Sequence, residues 1–142
     1  MDKRSILMET GRVVERYLAS GAFGDAYETS SPEGVPETMK LTKEWSLIRE
    51  AHVKAVVGAH PCVLGLRGVV ELRRGGVAVF EECMPGAQWL RSAIDSWELG
   101  TIAAAQVALQ VAQGLEFLHS KQVTCWNVTP DTIMINLLHA PP

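Results

Sequence analysis

The sequence lacks the charge and cysteine patterns that would place it quickly in a class. Its 142 residues carry a formal net charge of −3, so no basic excess is available to attract nucleic acid, and we expect no nucleic-acid partner. Its three cysteines, Cys62, Cys83 and Cys125, show no CxxC spacing. An odd, scattered set of this kind is typical of free thiols in a reducing compartment, which predicts a cytoplasmic protein.

Long hydrophobic runs are also scarce. The apolar stretch near the N-terminus, around Ile6, is too short for the core of a signal peptide. The longest uncharged run, Leu99 to Leu115, has 17 residues but includes three glutamines and two glycines. We therefore expect no secretion signal, no membrane span and no membrane partner.

What remains is the composition of one globular domain, with 47% hydrophobic and 20% charged residues. The first half of the chain reads mostly as strands separated by glycine-bearing turns, with one helix from Lys43 to Val57. About five strands result. The predicted strand segments are Arg12 to Ala19, Asp25 to Thr29, Val35 to Thr42, Val63 to Leu72 and Gly76 to Phe80.

The second half is helical at first. Apolar residues spaced by three and four predict a helix that begins at Gly100-Thr101 and ends near His119-Ser120. Two short β-branched runs, Val123 to Thr124 and Ile133 to Ile135, then flank a turn at Pro130. The sequence thus predicts an α+β fold in which a sheet-rich part precedes a helical part.

The order of these features resembles the eukaryotic protein kinase family. The segment from Leu18 to Tyr27 looks like the glycine-rich loop, Thr38-Met39-Lys40 like the strand that bears the nucleotide lysine, and Val79 to Gly86 like the last strand and hinge. The segment from Gly114 to Asn136, GLEFLHSKQVTCWNVTPDTIMIN, is similar to the approach to the catalytic loop. The resemblance implies a five-stranded antiparallel N-lobe with one helix over residues 1–84, and the start of a helical C-lobe over residues 85–142.

The resemblance also implies a nucleotide site with ATP as its ligand. Lys40 would either hold phosphate oxygens or be a solvated lysine at a strand edge. Glu50 on the helix would either pair with Lys40 or be a solvated helical glutamate. Phe80 would either line the adenine pocket or belong to the core, while the hinge would meet adenine through backbone groups. The implied nucleotide-binding residues are Gly21, Ala22, Phe23, Gly24, Ala26, Thr38, Lys40, Glu50, Phe80, Glu81 and Cys83.

The catalytic loop departs from the family pattern H-R-D-L-x-x-x-N. Asn127 stands at the position of the catalytic aspartate, and an amide cannot accept a proton near neutral pH. Thr132 stands at the position of the metal-binding asparagine, and Asp131 is one position out of register. The resemblance therefore implies no intact catalytic residue and argues against a Mg²⁺ site.

No D-F-G triplet occurs, and six residues follow Asn136, so we expect a truncated kinase-like unit. The leading hypothesis is a pseudokinase that acts as an ATP-binding or protein-interaction module. The alternatives are a fragment of an active serine/threonine-type kinase and an interaction module that binds no nucleotide. Under each of these three hypotheses, the apolar face of helix 101–119 is expected to mediate self-association, to bind a protein partner or to lower the solubility of the chain.

Overall fold

A computed structural model of the chain describes residues 3–21 and 24–137. The fold is α+β, with a five-stranded antiparallel sheet followed by a long helix. The chain divides into two compact units. The sheet unit comprises residues 1–59 and 64–83, and the helical unit comprises residues 60–63 and 84–142.

The sheet unit has its strands in the order β1-β2-β3-β5-β4, and every neighbouring pair is antiparallel. The helix between the third and fourth strands packs on one face of the sheet, and an N-terminal helix packs on the other. The elements are α1 (Lys3–Thr10), β1 (Val13–Gly21), β2 (Gly24–Ser30), β3 (Pro36–Thr42), α2 (Trp45–Val57), β4 (Leu66–Glu71) and β5 (Val77–Glu82).

The alternation of side chains along β3 and β5 separates the two faces. Met39 lies opposite Phe80 on one face, where both are buried with Ile6 of α1. Lys40 lies opposite Val79 on the other face, where Val79 packs against α2. The position of a residue along β3 or β5 therefore determines which face of the sheet its side chain occupies.

The helical unit contains β6 (Gln88–Trp89), α3 (Leu90–Asp95), α4 (Thr101–Ser120) and β7 (Met134–Ile135). Leu90, Ala93 and Ile135 form its buried core. Within α4, Gly114 is the buried residue. A side-chain carbon at this position would lie 2.9 Å from the backbone oxygen of Cys62, so the helix approaches that backbone closely. This close approach explains a glycine in mid-helix, where it otherwise lowers helix stability.

The predicted five-stranded sheet and both predicted helices are confirmed, with α2 and α4 ending within a few residues of the predicted limits. The prediction missed α1, α3 and β6 and began the fourth strand too early, and only the second β-branched run contains a strand. Short helices with one or two buried residues leave little periodicity to detect. In the described part of the chain, no helix is both long and apolar enough to span a membrane.

Candidate functional site

Four of the residues implied by the kinase resemblance share one face of the sheet. Ala26 lies directly opposite Lys40 across β2 and β3, and Thr38 lies directly opposite Glu81 across β3 and β5. Because Thr38 and Lys40 are two residues apart on one strand, all four side chains project from the face that α2 covers. The strand register therefore creates the cluster.

Glu81 is the centre of this cluster. Its side chain is 1% exposed, and its two oxygens contact two different lysines. Lys40 Nζ lies 2.6 Å from Oε2, and Lys54 Nζ of α2 donates a hydrogen bond to Oε1. The contact between Lys40 Nζ and Oε2 is an ion pair at the buried end of the carboxylate.

The charges in this cluster reinforce one another. Burial alone would raise the pKa of Glu81, but the nearby Lys54 and Lys40 outweigh it and hold the pKa below its ordinary value. Burial alone would lower the pKa of Lys54, but Glu81 and Glu50 outweigh it and raise that pKa. Glu81 is therefore a carboxylate, and Lys54 an ammonium, at neutral pH.

Glu50 does not hold Lys40 in this structure. It is 52% exposed and pairs with Lys54, four residues further along α2, at 3.0 Å. The carboxylate that reaches Lys40 comes instead from β5. The ion pair between α2 and the sheet joins Lys54 of α2 to Glu81 of β5.

Lys54 was not among the residues singled out from the sequence, although a signal for it existed. Leu47, Ala51 and Lys54 are spaced by four and three, so they lie on the same side of α2. Leu47 and Ala51 are buried against the sheet. A lysine that continues a buried stripe requires an acidic partner, and such a partner could have been sought on the facing strands.

The glycine-rich turn joins β1 to β2 beside this cluster, and Gly21 pairs with Gly24 at its base. Gly24 has a φ of +116°, and a side-chain carbon there would lie 1.9 Å from the backbone oxygen of Leu41. Glycine is therefore required for the hairpin to pack on β3, one residue from Lys40. Ala22 and Phe23 lie outside the described residues.

The two remaining implied residues lie elsewhere. Phe80 is fully buried on the opposite face of the sheet, where Arg12 lies 4.2 Å from the centre of its ring. Of the two interpretations drawn for Phe80 from the sequence, the structure matches core packing. Cys83 is half-buried and follows β5 directly, at the end of the sheet unit.

The loop of residues 125–132 belongs to the helical unit, and its polar groups stabilise a turn. Thr132 Oγ1 lies 2.7 Å from the backbone oxygen of Asn127 and 3.0 Å from that of Thr129, and it accepts a hydrogen bond from the Thr129 N–H. The Asn127 side chain is exposed. Thr132 is thus a turn-forming hydroxyl in the place where the resemblance puts a metal ligand.

The carboxylate in this loop already has a partner. Both oxygens of Asp131 lie 3.3 Å from guanidinium nitrogens of Arg91, in a bidentate pair on the surface. Hydrogen bonding and the charge of Asp131 raise the pKa of Arg91. Among the described residues, no group of three or more histidine, cysteine, aspartate or glutamate side chains is arranged to hold a metal ion.

Comparison with known proteins adds no family assignment. A scan against protein-family models and a search of curated proteins each returned no match to this chain.

Proposed function

We propose that this chain is a protein kinase-like module that binds ATP through Lys40 and does not transfer its phosphate. The observation that carries the proposal is the position of Lys40. Its side chain is 34% exposed, it forms an ion pair with the buried Glu81, and it lies beside the hairpin that Gly21 and Gly24 close. In the family that the sequence resembles, a glycine-bearing hairpin next to a lysine is the arrangement that holds a polyphosphate.

The charge balance of the cluster supports this proposal. Glu81 carries one negative charge and contacts both Lys40 and Lys54, while the exposed Glu50 pairs with Lys54 alone. Lys54 keeps the buried carboxylate compensated when Lys40 turns toward a ligand phosphate. Without a second cation, moving Lys40 would leave a buried charge unpaired, which is strongly unfavourable.

The loop of residues 125–132 supports the second half of the proposal. The neutral amide of Asn127 cannot serve as a general base, a role that contributes typically about 10²- to 10⁴-fold to the rate. Thr132 and Asp131 are already engaged in a turn and in a surface ion pair. When bound, ATP would supply phosphate oxygens to Lys40. Position 127 would supply no general base for transfer of the terminal phosphate.

Thermal unfolding with and without ATP tests the binding. We expect ATP to raise the Tm of the wild type, because a ligand present at about 100 times its Kd stabilises the native state by roughly 2.7 kcal/mol. Lys40→Met should abolish this shift. Lys43→Met, which removes an exposed lysine just after β3, should keep it.

Each series is measured with magnesium and with a chelator, so that a requirement for the metal is seen directly. Two outcomes would contradict the proposal: a folded wild type with no shift in either condition, or equal shifts in wild type and Lys40→Met. In the first case the interaction module without nucleotide would be the better hypothesis. Phosphate transfer to protein by the wild type would favour the kinase alternative.

A further inference from the structure

Helix α4 is apolar on two opposite sides. On one side Val107 packs against the helical unit's core of Leu90, Ala93 and Ile135. On the other side lie four exposed residues. Ile102 is 77% exposed and Leu109 is 60% exposed, and the exposed Ala105 and Ala112 complete the stripe.

No charge interrupts this exposed stripe. From Thr101 to Leu115 the helix has glutamines as its most polar side chains and no acidic or basic residue. A helix that is apolar all round is usually buried on all sides, because exposed apolar surface is unfavourable in water. The outer side of α4 therefore has the character of a buried surface.

The order of side-chain sizes along the stripe indicates what covers it. Ile102, Ala105, Leu109 and Ala112 alternate large and small at spacings of three, four and three. An antiparallel copy centred near residue 107 places Ile102 against Ala112 and Leu109 against Ala105. Each large side chain then meets a small one, as in well-packed helix interfaces.

A parallel copy is a poorer match. It would place Ile102 against Ile102 and Ala105 against Ala105, so that crowded and empty layers alternate. The antiparallel pair has a two-fold axis perpendicular to the helices, so its interface is closed and self-complementary, as in most homodimers. We propose that the outer face of α4 binds the same face of a second copy of this chain, with the two helices antiparallel.

Sedimentation velocity over a wide range of protein concentrations tests the association. The wild type should pass from monomer to dimer as concentration rises, and Leu109→Glu should weaken the dimer by roughly tenfold or more. Trp45→Glu is the control, since Trp45 on α2 is also a large apolar side chain and is 81% exposed, and this change should leave association unchanged. A wild type that stays monomeric throughout would overturn the proposal, as would equal weakening by both variants.

Cysteine cross-linking tests the orientation. In a chain whose native cysteines are replaced by alanine, Ile102→Cys combined with Ala112→Cys should give a disulfide-linked dimer under mild oxidation. Ile102→Cys alone should not. The two positions are about 15 Å apart along one helix, so they cannot join within a single chain. Efficient cross-linking by Ile102→Cys alone would show a parallel pair and contradict the proposal.

Discussion

The face of the sheet around Glu81 and the loop of residues 125–132 use polar side chains in different ways. In the sheet unit, charges from two strands and a helix converge on one buried carboxylate. In the loop, a neutral hydroxyl closes a turn and the carboxylate of Asp131 is tied to Arg91 on the surface. The first region presents a partly exposed cation, Lys40, and the second engages its hydroxyl and its carboxylate in local contacts.

The proposed function assigns holding a phosphate and transferring it to separate sets of residues. Lys40 is positioned by strand register and by Glu81, and neither depends on what stands at position 127. We therefore expect changes around Glu81 to affect stability and binding strongly, and changes in the loop to affect them little.

The largest effect is expected for Glu81→Gln. This change leaves the ammonium of Lys54, whose side chain is 18% exposed, without its buried counter-charge. The free energy of unfolding, measured in urea, should fall by about 3 kcal/mol. Glu82→Gln, at the neighbouring and more exposed carboxylate, should lower it by less than about 1 kcal/mol. Similar losses for both would show that Glu81 has no special role.

The next effect is expected for Gly24→Ala. The new methyl group would meet the Leu41 oxygen, and the backbone at φ +116° is strained for any residue with a side chain. We expect a loss of about 2 to 3 kcal/mol in unfolding free energy. Gly34→Ala has a comparable positive φ of +79° but open space around it, and should lose only about 1 kcal/mol. Equal losses of unfolding free energy in the two variants would show that the close contact between residue 24 and the Leu41 oxygen of β3 contributes little.

Lys54 and Lys40 should separate stability from binding. Lys54→Met should lower the unfolding free energy by about 2 kcal/mol, because it removes the more buried of the two cations around Glu81. Lys40→Met should lower it by about 1 kcal/mol. By contrast, the Tm shift with ATP should survive in folded Lys54→Met and vanish in Lys40→Met. The reverse pattern would assign the ligand contact to Lys54.

The pH dependence of stability should report Glu81. Its pKa in the folded chain is lower than its ordinary value of 4.5, so its contribution is complete above that value and is lost as the pH falls through the folded pKa. The stability difference between wild type and Glu81→Gln should be constant near neutrality and shrink in acid. In Lys54→Met the stabilising contribution of Glu81 should be lost at a higher pH than in the wild type, because one of the two lysines that lower the pKa of Glu81 is absent. A stability difference between wild type and Glu81→Gln that persists unchanged in strong acid would show that the charge of Glu81 is not its source.

The smallest effect is expected for Asn127→Ala. Its side chain is exposed, and the turn uses the backbone oxygen of Asn127, which alanine keeps. The unfolding free energy should change by less than about 0.5 kcal/mol, and the Tm shift with ATP should be unaffected. A large loss in either measurement would mean that the loop contributes to the site.

Much of the fold could be predicted from the sequence, because apolar residues spaced by three and four marked α2 and α4, and glycine turns marked the strand ends. The contact between Lys40 and Glu81 could not. It depends on the register between β3 and β5, which are separated by a helix and another strand, and no local pattern encodes that pairing. The same long-range register placed Phe80 on the opposite face.

The most direct test of the central claim is isothermal titration of ATP into the wild type and into Lys40→Met, followed by chromatography of the nucleotide recovered from the cell. The account predicts saturable binding to the wild type, no measurable binding to Lys40→Met, and ATP recovered unchanged from both. Absence of binding to a folded wild type, binding that survives in Lys40→Met, or recovery of ADP that tracks the wild-type chain would contradict it.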